Sequence, residues 1–225
     1  MPTTTAPEST GWLPPIPGLY RRDPEHRYAL GDITFPVSIT GVLAIQKSDF
    51  AMQRIRATEH IWAPRGNTTH RAMECLCSAR APAADTAALA SELAEHAVGD
   101  YSDWISPLIT HPRWSAVQVI ASERPTCCIT RRIAGTYDTA FHQADGRRVI
   151  ADLKTLGANG STYCTRAQLG GYMALEATHG VFYDAGQTIW AWPGKTEFSP
   201  LYHRAECLLA WAAAWATYKA RVRHA

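Results

Sequence analysis

A hairpin near the middle of the chain constrains its fold more than any other sequence feature. Two short segments with alternating apolar and β-branched residues, 137–143 and 148–154, flank the sequence Ala144-Asp145-Gly146. This sequence is typical of a three-residue hairpin loop in which the glycine takes the left-handed conformation. The pattern therefore predicts two adjacent antiparallel strands with a fixed register.

The predicted register brings three charged side chains together. Counting outward from a three-residue loop, Asp138 lies directly opposite Asp152, and opposed residues share one face with Cβ atoms about 5 Å apart. Lys154 lies two residues further and shares that face. Two ionised carboxylates at this distance repel each other, and Mg²⁺ or Mn²⁺ would relieve the repulsion. A surface ion pair between Asp152 and Lys154 is the alternative explanation, and a two-residue loop would break the register.

The rest of the sequence predicts helices on both sides of a strand-rich centre. The predicted helices cover 36–61, 68–79, 85–98, 165–179 and 203–222, with a turn at 63–67. The predicted strands cover 116–121, 127–135, 137–143, 148–154, 181–183 and 188–192. This order indicates a mixed α/β sheet preceded by a helical segment. We therefore expect an extended, poorly ordered tail at 1–25, and a single domain made of a helical segment at 26–115 and a core at 116–225.

Composition excludes several classes of protein. The chain has 225 residues, of which 46% are hydrophobic and 19% charged, so it can bury a core without disulfides or metals. The longest apolar stretch, 207–216, is about half a bilayer span, and we expect no transmembrane helix. No basic segment followed by an apolar one marks a secretory signal near the N-terminus, so we expect a cytoplasmic protein. The six cysteines lack the spacing of a zinc site and are expected to be buried.

Further candidate residues lie on the predicted helices. His70 and Glu74 are four residues apart and share one helical face. Gln168 and Tyr172 share a face of a later helix, with two glycines at 170–171 between them. Each mid-helix glycine costs about 1 kcal/mol relative to alanine, so close approach of another backbone or of a nucleic-acid strand would compensate for it.

In order along the chain, these residues resemble the motifs of the RecB-type branch of the PD-(D/E)XK nucleases. The matching segments, which lie between Val37 and Met173, are Gly66…His70…Glu74, Glu123, Gly135-Thr-Tyr-Asp138, Asp152-Leu-Lys154-Thr155 and Gln168-Leu-Gly-Gly-Tyr172. An Asp-x-Lys sequence alone is common, whereas the full ordered set is specific. The resemblance implies a restriction-endonuclease-like α/β core, with a mixed central sheet flanked by helices.

The resemblance also implies a role for each matched residue. The implied ligands of a catalytic Mg²⁺ or Mn²⁺ are His70, Asp138, Asp152 and Leu153, the last through its carbonyl. Lys154 would orient and activate the attacking water, while Gln168 and Tyr172 would steady the site and the scissile phosphate. Glu123 and Glu74 are possible further members of the site. The candidate DNA-binding arginines are Arg65, Arg71, Arg131 and Arg166.

The function implied by the resemblance is metal-dependent exonucleolytic hydrolysis of DNA in phage or bacterial recombination or repair. The expected partner is linear DNA with free ends, a single-strand-annealing or single-strand-binding protein is a candidate partner, and the expected location is the cytoplasm of a bacterium or a phage-infected host. Relatives with an iron–sulfur cluster hold it with three cysteines near the C-terminus, whereas only Cys207 lies beyond residue 164 here, so we expect no cluster. A structure-specific endonuclease and a catalytically silent DNA-binding member of the same fold are the alternatives.

Overall fold

The computed structural model describes residues 11–22 and 27–223. Within these ranges the chain forms a three-stranded antiparallel sheet and a seven-stranded mixed sheet, together with α-helices that pack on both faces of the larger sheet. The mixed α/β class predicted from the sequence is confirmed.

The helices are α1 (Ile39–Ala44), α2 (Asp49–Ala57), α3 (Glu59–Ser78), α4 (Thr86–Val98), α5 (Ser102–Ile109), α6 (Arg166–Ala177) and α7 (Arg204–Arg223), and a 3-10 helix covers Pro112–Ala116. The first five strands are β1 (Leu19–Arg22), β2 (Arg27–Leu30), β3 (Ile33–Phe35), β4 (Val37–Ser38) and β5 (Val117–Cys128). The other strands are β6 (Ile133–Gln143), β7 (Arg148–Thr155), β8 (Ala185–Trp192), β9 (Lys195–Phe198) and β10 (Tyr202–His203).

The larger sheet has two cores because its central strands are apolar on both faces. Its order is β10-β8-β7-β6-β4, with β5 added to β6 and β9 added to β8. Ile150 of β7 packs toward α1, α6 and α7, whereas Val149, Ala151 and Leu153 pack toward α3 and α5. Such two-sided burial is expected of strands that are covered by helices on both faces. The sheet therefore holds α3 and α6 on opposite sides of β7.

The central hairpin has the predicted register. Gly146 has φ +83°, and the Gln143 amide donates a 2.9 Å hydrogen bond to the Arg147 carbonyl. β6 and β7 pair antiparallel as far as Thr139 and Ala151. The ladder ends there, so Asp138 and Asp152, the next pair in register, lie where the two strands separate.

The helices before the sheet differ from the prediction. A single helix over 36–61 is wrong, because β4, α1 and α2 occupy that range. Ser38 and Ser48 accept amide hydrogen bonds at the starts of α1 and α2, and these caps begin two separate helices. The turn predicted at 63–67 is also wrong, since α3 continues through Pro64. Burial of Thr69, Ala72 and Met73 favours the uninterrupted helix over the local turn signal.

The predicted strand at 127–135 is wrong because a turn divides it. Cys128 pairs with Ile133, and the intervening residues 129–132 connect β5 to β6. Arg132 takes a left-handed φ of +55° in this turn, which is unusual for a residue other than glycine. The sequence 129–132 has neither Gly nor Pro, so it carries no conventional turn signal. No strand forms at 181–183, and β8 begins at Ala185.

The N-terminal region also differs from the prediction. Residues 11–22 of the predicted tail pack on the domain, with the Leu13 amide donating a 2.7 Å hydrogen bond to the Ile120 carbonyl. Residues 1–10 and 23–25 of that tail lie outside the described residues. The segment 26–115, predicted as helical, also contains β2, β3 and β4.

Two other expectations concern cysteines and membranes. All six cysteines are free thiols, and all except Cys164 are buried. None of the helices in the described ranges has the length and apolarity needed to cross a lipid bilayer.

Candidate metal centre

A cleft of about 490 Å³ opens where the β6–β7 ladder ends, between α3 and α6. Its lining includes eight side chains that the sequence had singled out: His70, Glu74, Glu123, Asp138, Asp152, Lys154, Gln168 and Tyr172. These residues come from α3, α6 and three neighbouring strands, so only the fold brings them together. Of the candidate arginines, Arg71 lines the cleft, whereas Arg65, Arg131 and Arg166 do not.

Three carboxylates occupy consecutive strands of the sheet. Ser122 pairs with Thr139 and Arg124 with Tyr137, so Glu123 of β5 lies opposite Asp138 of β6. Asp152 follows on β7 in the hairpin register. Glu123 has a left-handed φ of +41°. Such strain costs about 1–3 kcal/mol and persists where the surrounding structure enforces it, often at functional sites.

Asp138 is fixed by two contacts. Its Oδ2 accepts a 2.5 Å hydrogen bond from the Leu153 amide, and its Oδ1 lies 3.3 Å from His70 Nδ1. One ligand atom each from His70, Glu123 and Asp138 fall within 4.8 Å of one another. The ligands predicted from the sequence included His70, Asp138 and Asp152. The cluster in the structure contains His70 and Asp138 together with Glu123. The Leu153 amide binds Asp138, and the ligand role implied for the Leu153 carbonyl stays a prediction.

Asp152 is held by hydrogen bonding and charge. Its Oδ1 accepts a 2.6 Å hydrogen bond from Gln168 Nε2, and its Oδ2 lies 2.7 Å from Lys154 Nζ. Gln168 Nε2 is also 3.4 Å from the Tyr172 hydroxyl. Asp152 is 1% exposed. These contacts orient the carboxylate toward the cleft and connect it to α6.

Burial and mutual repulsion strongly perturb the ionisation of these groups. Burial, with the Asp138 charge, raises the pKa of Glu123 to about 8. Burial also raises the pKa of Asp152 to about 6 despite the neighbouring Lys154. Burial opposes the charged form of His70, but the Asp138 carboxylate outweighs it and raises the His70 pKa to about 9. At neutral pH the metal-free site therefore carries protons on His70 and Glu123.

The other ionisable groups of the cleft follow the same physics. Burial would raise the pKa of Asp138, but the His70 charge and hydrogen bond lower it. Burial would lower the pKa of Lys154, but the two aspartates raise it, so the ammonium stays charged. Burial keeps the pKa of Tyr172 well above its usual value, and its hydroxyl stays protonated.

Two predicted site residues are bound to each other. Arg71 Nη1 lies 2.7 Å from Glu74 Oε2, and Arg71 Nε donates a 2.6 Å hydrogen bond to Glu92 Oε1. Glu74 and Arg71, which both line the cleft, therefore form an ion pair there. Glu92 comes from α4 and could not have been assigned from its sequence position.

The cleft also contains residues outside the motifs that the sequence indicated. They are Arg21, Tyr28, Ser38, Ile39, Thr40 and Asn67, whereas Gly135 and Thr136 belong to the Gly135–Asp138 motif. Asn67 lies three residues before His70 on α3, and this helical spacing could have identified it. Tyr28 could not have been identified in this way, since its hydroxyl reaches Thr136 Oγ1 across 3.0 Å from a separate sheet.

The mid-helix glycines of α6 are explained by close packing against a neighbouring backbone at Gly170 and against side chains at Gly171. A Cβ at Gly170 would lie 1.9 Å from the Cys207 carbonyl oxygen of α7, and one at Gly171 would lie 2.8 Å from Ile39 Cδ1. The sequence suggested that close approach of another backbone or of a nucleic-acid strand would compensate for the helix-destabilising effect of these glycines. At Gly170 it is the backbone of α7 that approaches. This close approach fixes α6, and with it Gln168 and Tyr172, against the sheet.

No protein-family model matches the chain, and no curated protein matches it. Among solved structures, the chain is similar to one described as the crystal structure of SSO0001, with 14% sequence identity and a TM-score of 0.32. The match covers 65% of this chain and 74% of that chain. A similarity of this size supports no inference about fold or function.

Proposed function

We propose that this chain is a RecB-type PD-(D/E)XK nuclease that hydrolyses the phosphodiester bonds of linear DNA from its ends with Mg²⁺ or Mn²⁺. One observation carries the proposal. The Asp152–Lys154 ion pair, 2.7 Å between Oδ2 and Nζ, lines the same cleft as the His70–Glu123–Asp138 triad. The motifs that resemble the nuclease family are thus neighbours in space as well as in order along the chain.

The donor set fits a divalent cation. Carboxylate oxygens suit Mg²⁺ and Mn²⁺, and an imidazole nitrogen suits Mn²⁺ better than Mg²⁺. A cation would be held by His70, Glu123 and Asp138, with Asp152 beside them, and it would replace the protons that now reduce the repulsion between the buried carboxylates. Such an ion polarises a phosphate and lowers the pKa of a bound water.

The side chains around the triad have separate tasks in this proposal. Lys154 is fully protonated at neutral pH, so it acts as a charged donor to a phosphate oxygen or a water and does not accept the first proton. Gln168 holds Asp152 Oδ1 and leaves its other oxygen to Lys154. Tyr172 remains a neutral donor beside Gln168. Donors fixed before the reaction lower the energy of developing negative charge without further reorganisation.

Incubation of purified protein with linear and covalently closed circular DNA tests this proposal and its alternatives. We expect Mn²⁺-dependent loss of linear DNA, intact circles, and no cleavage in excess EDTA. Cleavage of circles at an equal rate would favour the endonuclease alternative. Binding of DNA without cleavage of either form would identify a catalytically silent protein and refute the proposal.

A further inference from the structure

A second groove, of about 570 Å³, lies beside the candidate metal centre. β7 and β8 are parallel, and their register places Trp190 directly opposite Lys154. Opposed residues in a sheet project from the same face. Trp190 lines the groove and Lys154 lines the cleft, so the two cavities are lined by paired residues of two neighbouring strands.

The groove has an aromatic wall with one ring turned toward solvent. Tyr163 is 53% exposed, and its ring meets Trp190 edge-on, with centroids 5.1 Å apart and planes at 76°. Trp190 in turn lies opposite Lys154 in the sheet. The exposed ring of Tyr163 therefore packs on the strand neighbour of Lys154.

The loop that carries Tyr163 is tied to the domain at two points. Trp192 Nε1 donates a 2.8 Å hydrogen bond to the Gly160 carbonyl, and Trp104 Nε1 donates a 2.7 Å hydrogen bond to the Leu156 carbonyl. Both donors are indole groups whose partners lie in the connection between β7 and α6. A ring held in this way loses little conformational entropy when a ligand stacks on it.

The charge of the groove suits a polyanion. Arg113 lines it, and within the described part of the chain its Nε has no hydrogen-bond partner. The Arg166 guanidinium lies 5.1 Å from the ring centroid of Tyr202, which lines the groove, but its Nε also lies 3.7 Å from Glu206 Oε2. Glu197 also lines the groove, but Lys195 Nζ lies 2.6 Å from its Oε1. Arg113 therefore supplies the cation beside the aromatic wall, and surfaces that track a nucleic-acid backbone while bases stack combine the same two features.

We propose that this groove binds unpaired bases of a single-stranded DNA end, with Tyr163 as the stacking surface, and so delivers the adjoining phosphate toward Lys154. The direction of delivery rests on the proposed nuclease function, whereas the binding itself does not. Stacking on Tyr163 requires a base with a π face, and charge pairing with Arg113 requires only the phosphate. An abasic strand separates these two contributions.

The test is fluorescence anisotropy in EDTA with labelled oligothymidylate and an abasic oligomer of equal length. We expect the wild type to bind oligothymidylate about tenfold more tightly than the abasic strand. Tyr163→Ala should lose this preference, and Tyr163→Phe should keep it because the ring remains. Phe182→Ala is the matched control, since Phe182 is 52% exposed and lines neither cavity. Melting curves for each variant establish that it is folded.

The outcomes separate this inference from the proposed function. Equal binding of the two strands by the wild type, or an unchanged preference in Tyr163→Ala, would overturn the groove assignment even if the protein cleaves DNA. Tighter binding of oligouridylate than of oligothymidylate would overturn the assignment to DNA. Base-dependent binding that needs Tyr163, in a protein with no cleavage in Mn²⁺, would support the groove and refute the nuclease.

Discussion

Lys154 Nζ lies 2.7 Å from Asp152 Oδ2, and the two side chains are 20% and 2% exposed. Withdrawing an ion pair from water costs several kcal/mol per ion before the pair forms, so a buried pair is weak evidence of stabilisation. A pair with perturbed pKa values that lines a cleft beside the Glu123 and Asp138 carboxylates is typical of functional sites. The first prediction concerns this pair.

Asp152→Asn keeps the shape of the side chain and removes its charge. We expect the variant to remain folded and its rate of DNA cleavage to fall at least about a hundredfold. Removal of one fixed polar group from other hydrolytic sites lowers the rate by a similar factor. Lys154→Ala should have an effect of the same size. Initial rates in Mn²⁺ and a far-ultraviolet circular dichroism spectrum measure both properties.

Asp145→Asn is the control for this change. Asp145 is an exposed residue paired with Arg147 in the loop after β6, seven positions beyond Asp138. Its substitution should leave the rate within about twofold, because exposed ion pairs contribute little. Near-normal cleavage by Asp152→Asn would remove Asp152 from the site.

The second prediction concerns pH. Metal ligands must lose their protons before they bind, and His70 and Glu123 have pKa values of about 9 and about 8 in the metal-free protein. Apparent Mn²⁺ affinity should therefore rise with pH between about 6 and 9, by up to about tenfold per pH unit for each displaced proton. Calorimetry in two buffers of different ionisation enthalpy counts the protons released. Release of none at pH 7 would contradict the assigned ligands.

The third prediction separates His70 from an ordinary helical histidine. His70→Ala should weaken Mn²⁺ binding, reduce proton release by about one, and reduce the rise in melting temperature that a bound metal produces. His60 lies on the same helix and is exposed, so His60→Ala should change none of these quantities. A Mn²⁺ titration that is identical for His70→Ala and wild type would show that His70 is not a ligand.

The fourth prediction concerns the packing of α6. Alanine normally stabilises a helix relative to glycine, by about 1 kcal/mol. At Gly170 the new Cβ would collide with the Cys207 carbonyl, so Gly170→Ala should lower the free energy of unfolding by about 1–3 kcal/mol or more. At Gly66 of α3 the nearest atom, Thr155 Oγ1, is 3.6 Å away, and Gly66→Ala should be neutral or stabilising. Equal stability of the two variants by urea denaturation would refute this account of Gly170.

The sequence was sufficient to predict the structure where local interactions determine it. The Gly146 turn fixes the hairpin register, and this register places Asp138 and Asp152 at adjoining positions on β6 and β7. Glu123 could not be placed in the same way. Its position opposite Asp138 depends on the turn at 129–132, and this turn lacks the residues that usually mark one.

The other features that the sequence did not predict depend on contacts between residues distant in sequence. The DNA-binding role of Arg71 stays a prediction, but its contact with Glu92, which α4 brings from 21 residues away, could not be foreseen. Burial of one face of α3 carries that helix through Pro64. Tertiary packing of this kind overrides local propensity and leaves no local sequence signal.

We propose that His70, Glu123 and Asp138 form a divalent metal site in this cleft. An anomalous difference map from a crystal soaked in Mn²⁺ tests this site. We predict a peak within about 2.5 Å of a His70 ring nitrogen and of carboxylate oxygens from Glu123 and Asp138. A map with no peak in this cleft, from crystals in which the cleft is open to solvent, would contradict the claim.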